Sequence, residues 1–214
     1  MPGTLRIKLQ TLHHMFEPAE SAYTVLLLLQ KRINLGNICL PDPEAHKMTA
    51  SQAFEEANVG YVAQYNLGHL PIQPSRMVVI VTCMDARLDP ARILGLAEGD
   101  AIVIRNAGGR VAEEMRSLIM TQQLLGVREI VVIHHTDCGV TKFTNDVVHS
   151  RVHEALHQDI SDMDFMTFSD IDASIKDDVS FLRKSPLVST GTLINGYNYN
   201  VSTGQISLVV SITT

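Results

Sequence analysis

Features typical of nucleic-acid-binding and membrane-spanning proteins are scarce in this sequence. Aromatic residues make up 5% of the 214 residues and the formal net charge is -6, so the sequence offers neither a base-stacking surface nor a basic stripe for phosphates. The longest apolar run near the N-terminus is VLLLL at 25–29, whereas spanning a bilayer takes about 20 apolar residues. We therefore expect no nucleic-acid partner and no membrane partner.

Cysteine is also scarce, with Cys39, Cys83 and Cys138 as its three occurrences. A small, odd number of cysteines in a chain of this size argues against a disulfide framework and for a reducing compartment. A secretory signal needs a basic start before its apolar centre, but here carboxylates precede the apolar stretch. We expect a soluble cytoplasmic protein, with organellar targeting by the N-terminal segment as the alternative.

The sequence does contain short apolar runs that alternate with helical segments. The stretches 77–82, 101–105 and 129–135 are β-branched runs typical of strands buried on both faces. Pro90 suits the first turn of one intervening helix, and the helical run 110–126 has carboxylates in its first turn and Gly126 at its end. The run 188–210 indicates a strand, a turn and a returning strand. This pattern predicts an α/β fold with a mostly parallel central sheet, flanking helices and an antiparallel C-terminal edge strand.

The N-terminal part of the chain differs in character from the rest. Residues 1–45 show no steady periodicity and are interpreted as an extension of unknown role, ahead of one domain at 46–214. Thr49 and Gln52 have capping-box spacing, which predicts a helical arm. One face of this helix would carry Phe54, Ala57, Tyr61, Val62 and Tyr65. Cys39 falls in the extension and is interpreted as a small buried hydrophobic residue.

Metal-ligating side chains follow two of the predicted strands, at the point where each strand ends. CMDAR at 83–87 follows the first strand, and HHTDCG at 134–139 ends the third. The carboxyl ends of parallel strands form the edge of the sheet where ligands bind, so Cys83, His135 and Cys138 should meet there. Two thiolates and one imidazole suit zinc, and three protein ligands leave a fourth position open for water or substrate. The sequence therefore predicts a catalytic zinc site.

Asp85 and Arg87, in the same segment as Cys83, are candidates for proton transfer. Alternate positions of an extended segment project to one side, so ligand, carboxylate and guanidinium would share a face. Two thiolates neutralise the charge of zinc and make its water harder to ionise, which a neighbouring proton acceptor offsets. We predict that Asp85 is this acceptor and that Arg87 clamps its carboxylate and keeps it ionised.

The stretch RNAGGR at 105–110 places two adjacent glycines after the second strand. It lacks both the dinucleotide fingerprint and the lysine of a P-loop, so cofactor binding is not favoured. We expect Gly108 and Gly109 to allow close backbone approach to the metal pocket, where their amide groups would steady a small oxyanion. A plain turn is the alternative.

The remaining histidines considered for the site are interpreted as structural or solvated. His149, His153 and His157 recur every four residues. No carboxylate or cysteine joins them at ligand spacing, which favours a solvated helix face over a second metal site. His134 should point to the opposite side of its strand from His135, and it is interpreted as structural.

Other chemistries fit the sequence less well. A cysteine phosphatase needs an arginine after five intervening residues, but Asp89 stands at that distance from Cys83. A thiol hydrolase using Cys138 and a histidine leaves Cys83 and the pairing of Asp85 with Arg87 unexplained. A non-catalytic zinc-stabilised binding module stays open, with that pairing as a structural ion pair.

Over roughly residues 45–210, CMDAR, RNAGG and HTDCG resemble the motif set of the beta-class carbonic anhydrases. The resemblance implies that zinc is bound by Cys83, His135 and Cys138 and that the catalytic dyad is Asp85 and Arg87. It further implies reversible hydration of carbon dioxide to bicarbonate and a proton by hydroxide on the zinc. The expected partners are this small-molecule substrate and further copies of the chain, in a homodimer or a multiple of dimers with helical N-terminal arms.

Two features set the chain apart from the commonest pattern of that family. Ala86 stands where a serine often follows the aspartate. The short chain resembles a compact subgroup that is also similar to carbonyl sulfide and carbon disulfide hydrolases. Hydrolysis of carbonyl sulfide or carbon disulfide at the same zinc site is therefore the alternative function, since both molecules offer an electrophilic carbon to the same nucleophile.

Overall fold

Five strands form one sheet in the computed structural model, which describes residues 49–214. They are β1 (Val78–Cys83), β2 (Ile102–Asn106), β3 (Glu129–His135), β4 (Leu193–Tyr199) and β5 (Ile206–Thr213). Their order is β2-β1-β3-β4-β5, and all neighbouring pairs are parallel except β4 with β5, which is antiparallel. The predicted α/β fold and its antiparallel C-terminal edge are confirmed.

The helices that connect these strands largely follow the sequence signals. In the described part of the chain they are α1 (Ala50–Val62), α2 (Pro90–Leu94), α3 (Met115–Leu125), α4 (Asn145–Leu156) and α5 (Ile171–Lys184). Pro90 opens α2 after the Asp89 cap, and Gly126 ends α3 with a left-handed φ of 74°. The expected acidic first turn of α3 is instead a separate 3₁₀ turn, Ala112–Glu114, so the α-helix begins later than its charges suggest.

The sheet is covered on both faces, which explains why β1 is buried at every position. Val79 and Val81 face a cluster that includes Leu118 of α3 and Leu182 of α5, while Ile80 belongs to a second cluster on the other face. Alternation along a strand sends neighbouring residues to opposite faces, so two adjacent residues of a central strand meet different environments. The same alternation places the two histidines that end β3 on opposite faces of the sheet.

Helix α1 lies in the unit that precedes residue 65, and the sheet domain forms the compact unit 65–214. Its predicted capping box is present, because the Gln52 N–H donates to the Thr49 hydroxyl and the Thr49 N–H donates to the Gln52 side chain at 2.8 Å. The helix ends at Val62, so Tyr65 falls beyond its apolar face. In the part of the chain that the structure describes, no α1 residue is buried, and Phe54 is 69% exposed.

Two of the sequence-based predictions concern residues that precede the described range. Residues 1–45, interpreted as an extension, and Cys39 within them lie outside the described residues. Among residues 49–214, no helix combines the length and the hydropathy that crossing a bilayer requires.

Candidate functional site

Three potential metal ligands converge at the carboxyl ends of β1 and β3. Cys83 is the last residue of β1 and His135 the last residue of β3, while Cys138 follows the turn after β3. Their ligand atoms all lie within 4.8 Å of one another, and the two Sγ atoms are 3.8 Å apart. All three residues are buried. The structure therefore brings together the three residues that the sequence nominated as zinc ligands.

The donor set of this cluster fits zinc. The Nδ1–H of His135 donates to the Thr136 carbonyl oxygen at 2.9 Å, which leaves Nε2 as the ring atom available to a metal ion. Nε2 is buried and has no hydrogen-bond partner within residues 49–214. A buried polar atom without a partner calls for an explanation, and a metal ion supplies one. Two sulfurs and one imidazole nitrogen, with a fourth position left for water, form a catalytic type of zinc site.

The electrostatics of the two sulfurs also call for a cation. The neighbouring Cys138 is the largest cause that lowers the pKa of Cys83 to about 4. That same contact, together with burial, raises the pKa of Cys138. Two adjacent buried thiols thus retain one proton until a positive charge compensates the second thiolate. Zinc binding is therefore expected to release the remaining proton of the pair.

Asp85 is held beside the cluster by Arg87. The Arg87 Nε–H donates to Asp85 Oδ1 at 3.0 Å, its Nη2–H donates to Oδ2 at 2.8 Å, and its backbone N–H donates to Oδ1 at 2.9 Å. These bonds from Arg87 hold the pKa of Asp85 well below its usual range. Asp85 Oδ2 lies 3.9 Å from His135 Nε2. An ionised carboxylate therefore stands next to the ligand atoms, with a guanidinium behind it.

Sequence reasoning missed Asp137, which shares Arg87 with Asp85. Asp137 Oδ2 accepts from Arg87 Nη1 at 3.0 Å, and its Oδ1 accepts from Lys142 Nζ at 2.8 Å. Lys142 and then Arg87 lower the pKa of Asp137. The residue adopts a left-handed φ of 55°, which aspartate tolerates better than most residues. The signal that could have found it is its place between two ligands in the turn HTDCG.

Arg105 is a second residue that the sequence did not single out. Its Nε–H donates to the Cys83 carbonyl oxygen at 3.1 Å, and its Nη2–H donates to the Asp85 carbonyl oxygen at 2.7 Å. These two bonds fix the backbone of the segment that leaves β1. Arg105 thereby positions both the ligand Cys83 and the carboxylate of Asp85.

The glycine pair after β2 makes the close backbone approach that the sequence predicts. Gly108 and Gly109 have positive φ angles of 78° and 75°. A Cβ atom on Gly109 would lie 2.9 Å from the carbonyl carbon of Thr82 and 3.0 Å from the nitrogen of Cys83. Only glycine allows the loop to lie this close to the end of β1. The role of these amides toward an anion is taken up below.

The histidines set aside in the sequence form no second metal site in the described residues. The cluster of Cys83, His135 and Cys138 is the one group there with ligand spacing. Helix α4 ends at Leu156 and His157 adopts a left-handed conformation, so the four-residue repeat breaks at its third member. His134 is fully buried on the other face of β3, as expected for a structural residue.

Comparisons with known proteins agree with this geometry. A sequence model of the family described as carbonic anhydrase matches residues 78–206, which is more than half of the chain. Beta-carbonic anhydrase 1 of Mycobacterium tuberculosis is 37% identical over 165 residues, which cover 76% of this chain and 99% of that protein. Carbon disulfide hydrolase of Saccharolobus solfataricus is 34% identical over 66% of this chain and 82% of that protein.

A solved structure extends the similarity to three dimensions. Carbonic anhydrase from Streptococcus mutans is 45% identical, with a TM-score of 0.74, and the match covers 76% of this chain and 99% of that chain. The chain belongs to the beta-carbonic anhydrase family.

Proposed function

We propose that this protein is a zinc-dependent carbonic anhydrase that reversibly hydrates carbon dioxide to bicarbonate and a proton. The observation that carries the proposal is the placement of three ligand atoms within 4.8 Å of one another beside the ionised carboxylate of Asp85. Three ligands with a fourth position available make a catalytic site, and the Asp85 carboxylate beside the cluster would serve as the proton acceptor.

We assign the side chains of this site either to metal binding or to proton transfer. Cys83, His135 and Cys138 would hold zinc, which would supply a Lewis acid that makes water a nucleophile. Asp85 would accept a hydrogen bond from that water and orient it. Arg87 keeps that carboxylate ionised and fixes its direction through the two side-chain bonds described above.

The backbone of Gly108 and Gly109 is assigned to the wall of the substrate pocket. Their positive φ angles and the absence of a Cβ leave the loop close to the end of β1, where the ligand Cys83 lies. Backbone amide groups at such a position provide hydrogen-bond donors for a small oxyanion such as the product bicarbonate. Substitution of either glycine by alanine should therefore weaken bicarbonate binding as well as strain the loop.

Stopped-flow carbon dioxide hydration with zinc-replete protein tests the proposal. The wild-type chain should hydrate carbon dioxide, and Arg87→Ala should retain zinc while losing most of that activity. His153→Ala, on the exposed side of α4, is the matched control and should behave as wild type. A zinc-loaded wild-type protein that fails to accelerate hydration would contradict the proposal.

Hydrolysis of carbon disulfide or carbonyl sulfide is the second candidate, because three relatives carry the name carbon disulfide hydrolase. Carbon dioxide hydration ranks first because the beta-carbonic anhydrase relative matches at 37% identity over 99% of its length, against 34% over 82%. Turnover of the three substrates at equal enzyme concentration separates the candidates. Faster turnover of a sulfur substrate than of carbon dioxide would reverse the ranking.

Domain organisation, assembly and location complete the proposal. We assign residues 46–214 to the zinc domain and residues 1–45 to an N-terminal extension. The exposed apolar side chains of α1, among them Phe54 and Val59, favour burial against a second copy in a homodimer or a multiple of dimers. A monomeric mass in light scattering at micromolar concentration would contradict the assembly. Thiol ligands that must stay reduced favour a cytoplasmic location.

A further inference from the structure

A buried polar network lies on the face of β3 opposite the metal cluster. It contains His134, which is 0% exposed, Ser174, which is 2% exposed, and Asp178, which is 1% exposed. His134 Nδ1 lies 2.7 Å from Ser174 Oγ, and His134 Nε2 lies 3.2 Å from Asp178 Oδ2. The Asp178 Oδ1 atom accepts from Arg110 Nη2 at 2.9 Å. This network has no role in the function proposed above.

The order of hydroxyl, imidazole and carboxylate resembles a hydrolase triad, but burial excludes that use. A nucleophilic serine has to reach a substrate, and the three side chains are almost completely closed to solvent. The Ser174 hydroxyl is also engaged elsewhere, because its Oγ donates to the Ile171 carbonyl oxygen at 2.9 Å. Asp178 is paired with Arg110. The network therefore has a structural role.

The network holds the C-terminal end of the glycine pair. His134 Nε2 also lies 3.2 Å from the Gly109 carbonyl oxygen, and the Val111 N–H donates to Asp178 Oδ2 at 3.3 Å. Arg110, between those two residues, pairs with Asp178 directly. Three consecutive residues of the loop are thus tied to side chains from β3 and α5. Such bonds are worth most in a buried setting, where an unpaired group costs more than in water.

The glycine pair in turn touches the metal cluster. A Cβ on Gly109 would lie 3.0 Å from the backbone nitrogen of Cys83, so the loop packs directly against this potential ligand. Phe168 packs on the same loop, because its ring stacks on His134 at a centroid distance of 5.2 Å and would lie 3.2 Å from a Cβ on Gly108. A shift of His134 would therefore move the loop and, with it, the backbone of Cys83.

We propose that His134 and Asp178 are positioning residues that hold the glycine pair against the backbone of Cys83 and thereby set the strength of the zinc site. The inference rests on the proposed zinc function. Groups outside the coordination shell that position a ligand tune the metal site, and losing such a partner typically lowers metal affinity about 10- to 100-fold. Neither residue touches the substrate, so the effect appears first in metal binding.

The test is His134→Phe, which keeps the ring and its stack on Phe168 but removes both nitrogens. We expect its zinc dissociation constant, measured by chelator competition, to rise about tenfold or more. In the cobalt(II)-substituted protein, the sulfur-to-metal charge-transfer band should shift from its wild-type position, because the Cys83 sulfur would meet the metal at a different distance or angle. A folded variant with wild-type zinc affinity and a wild-type band would overturn the inference.

Thr192→Val is the matched control for general destabilisation. Thr192 is also buried, and its hydroxyl bonds to Gln122 at 2.7 Å, but it lies at the start of β4, away from the glycine pair. It should lose stability and keep the cobalt band of the wild type. An equal band shift in this control would also overturn the inference.

Ser174→Ala covers the case in which His134→Phe does not fold. This milder change removes the hydroxyl that faces His134 Nδ1 and should shift the cobalt band in the same direction by less. An unchanged band in Ser174→Ala would then overturn the inference. Failure of the proposed function looks different, because wild-type protein itself would then bind no zinc or show no hydration.

Discussion

His134 and His135 are neighbours at the end of β3, both fully closed to solvent, yet they serve opposite purposes. On one face, both ring nitrogens of His134 meet protein groups. On the other face, His135 has Nδ1 paired with a backbone oxygen and Nε2 without a hydrogen-bond partner in the described residues, next to two sulfurs. A buried imidazole whose nitrogens both have partners suits a structural role, and one that keeps a nitrogen open among soft donors is suited to bind a metal ion.

The largest expected effect comes from removing the open nitrogen. His135→Ala should lose its zinc and its carbon dioxide hydration down to the uncatalysed rate, because two thiolates alone do not complete the site. Metal analysis per chain and stopped-flow hydration measure the two losses. His149→Ala in α4 is the control and should keep both. Full zinc content in His135→Ala would break the comparison between the two faces.

On the opposite face, removal of charge should cost stability. Asp178→Ala leaves Arg110 and the Val111 N–H without their buried partner. Breaking a buried ion pair from one side costs about 3–5 kcal/mol of unfolding free energy. Urea unfolding followed by circular dichroism measures this loss, with the exposed Asp146→Ala as control. Equal unfolding midpoints in the two variants would show that the network carries little stability.

A change at Asp85 separates metal binding from proton transfer on the face of the sheet that carries the metal cluster. Asp85→Asn should retain one zinc per chain and lose about a hundredfold in hydration rate, as is typical when a positioned proton-transfer group is removed. The reason is that the amide keeps the shape of the carboxylate and lacks its basicity. Stopped-flow rates on zinc-replete proteins decide the matter, and wild-type rates for the variant would remove Asp85 from the mechanism.

The smallest expected effect concerns Asp100, a carboxylate remote from both histidines. Its pairing should affect the free energy of unfolding but not metal binding. The Ala97 N–H and the Ser75 hydroxyl, with Arg76 beside them, lower the pKa of Asp100. Its folded pKa lies below the unfolded value of about 3.9, so its stabilisation is present above that pH and is lost as pH falls through the folded pKa.

This sign gives a direct measurement. The difference in unfolding free energy between wild type and Asp100→Asn should be constant from pH 7 to pH 5 and shrink toward zero in more acidic solution. Zinc content and hydration rate should be unchanged at neutral pH. A difference that grows as pH falls would contradict the assignment, and a loss of zinc would show that the remote pairing supports the metal face.

Much of the fold was predictable because its signals are local. Three β-branched runs located β1, β2 and β3 to within a residue, and Pro90 and Gly126 marked helix boundaries correctly. The start of α3 was placed too early, because its acidic residues form a 3₁₀ turn whose geometry depends on the neighbouring loop. Similarly, Tyr65 follows the apolar period of α1 but lies past its end, since periodicity alone does not stop a helix.

Some residues of the candidate site were likewise predictable from the sequence, and others were not. The spacing in CMDAR and HTDCG nominated every ligand of the cluster, because residues at the carboxyl ends of parallel strands share one edge of the sheet. Asp137 and Arg105 were not predicted, because their roles depend on contacts across the fold. Asp137 pairs with Arg87, and Arg105 bonds to the backbone that follows β1. The sequence shows the type of each of these residues but not the groups that it contacts.

The sequence by itself determined the strand pattern, the ligand types and the separation of His134 from His135 onto opposite faces, since alternation along a strand is a local property of the backbone. Only the tertiary structure decided what each face meets. Packing brought α5 with Asp178 against one histidine and Cys83 with Cys138 against the other. Contacts between residues distant in sequence follow from how the helices cover the sheet. Those contacts place His134 in a buried polar network and His135 among the potential metal ligands.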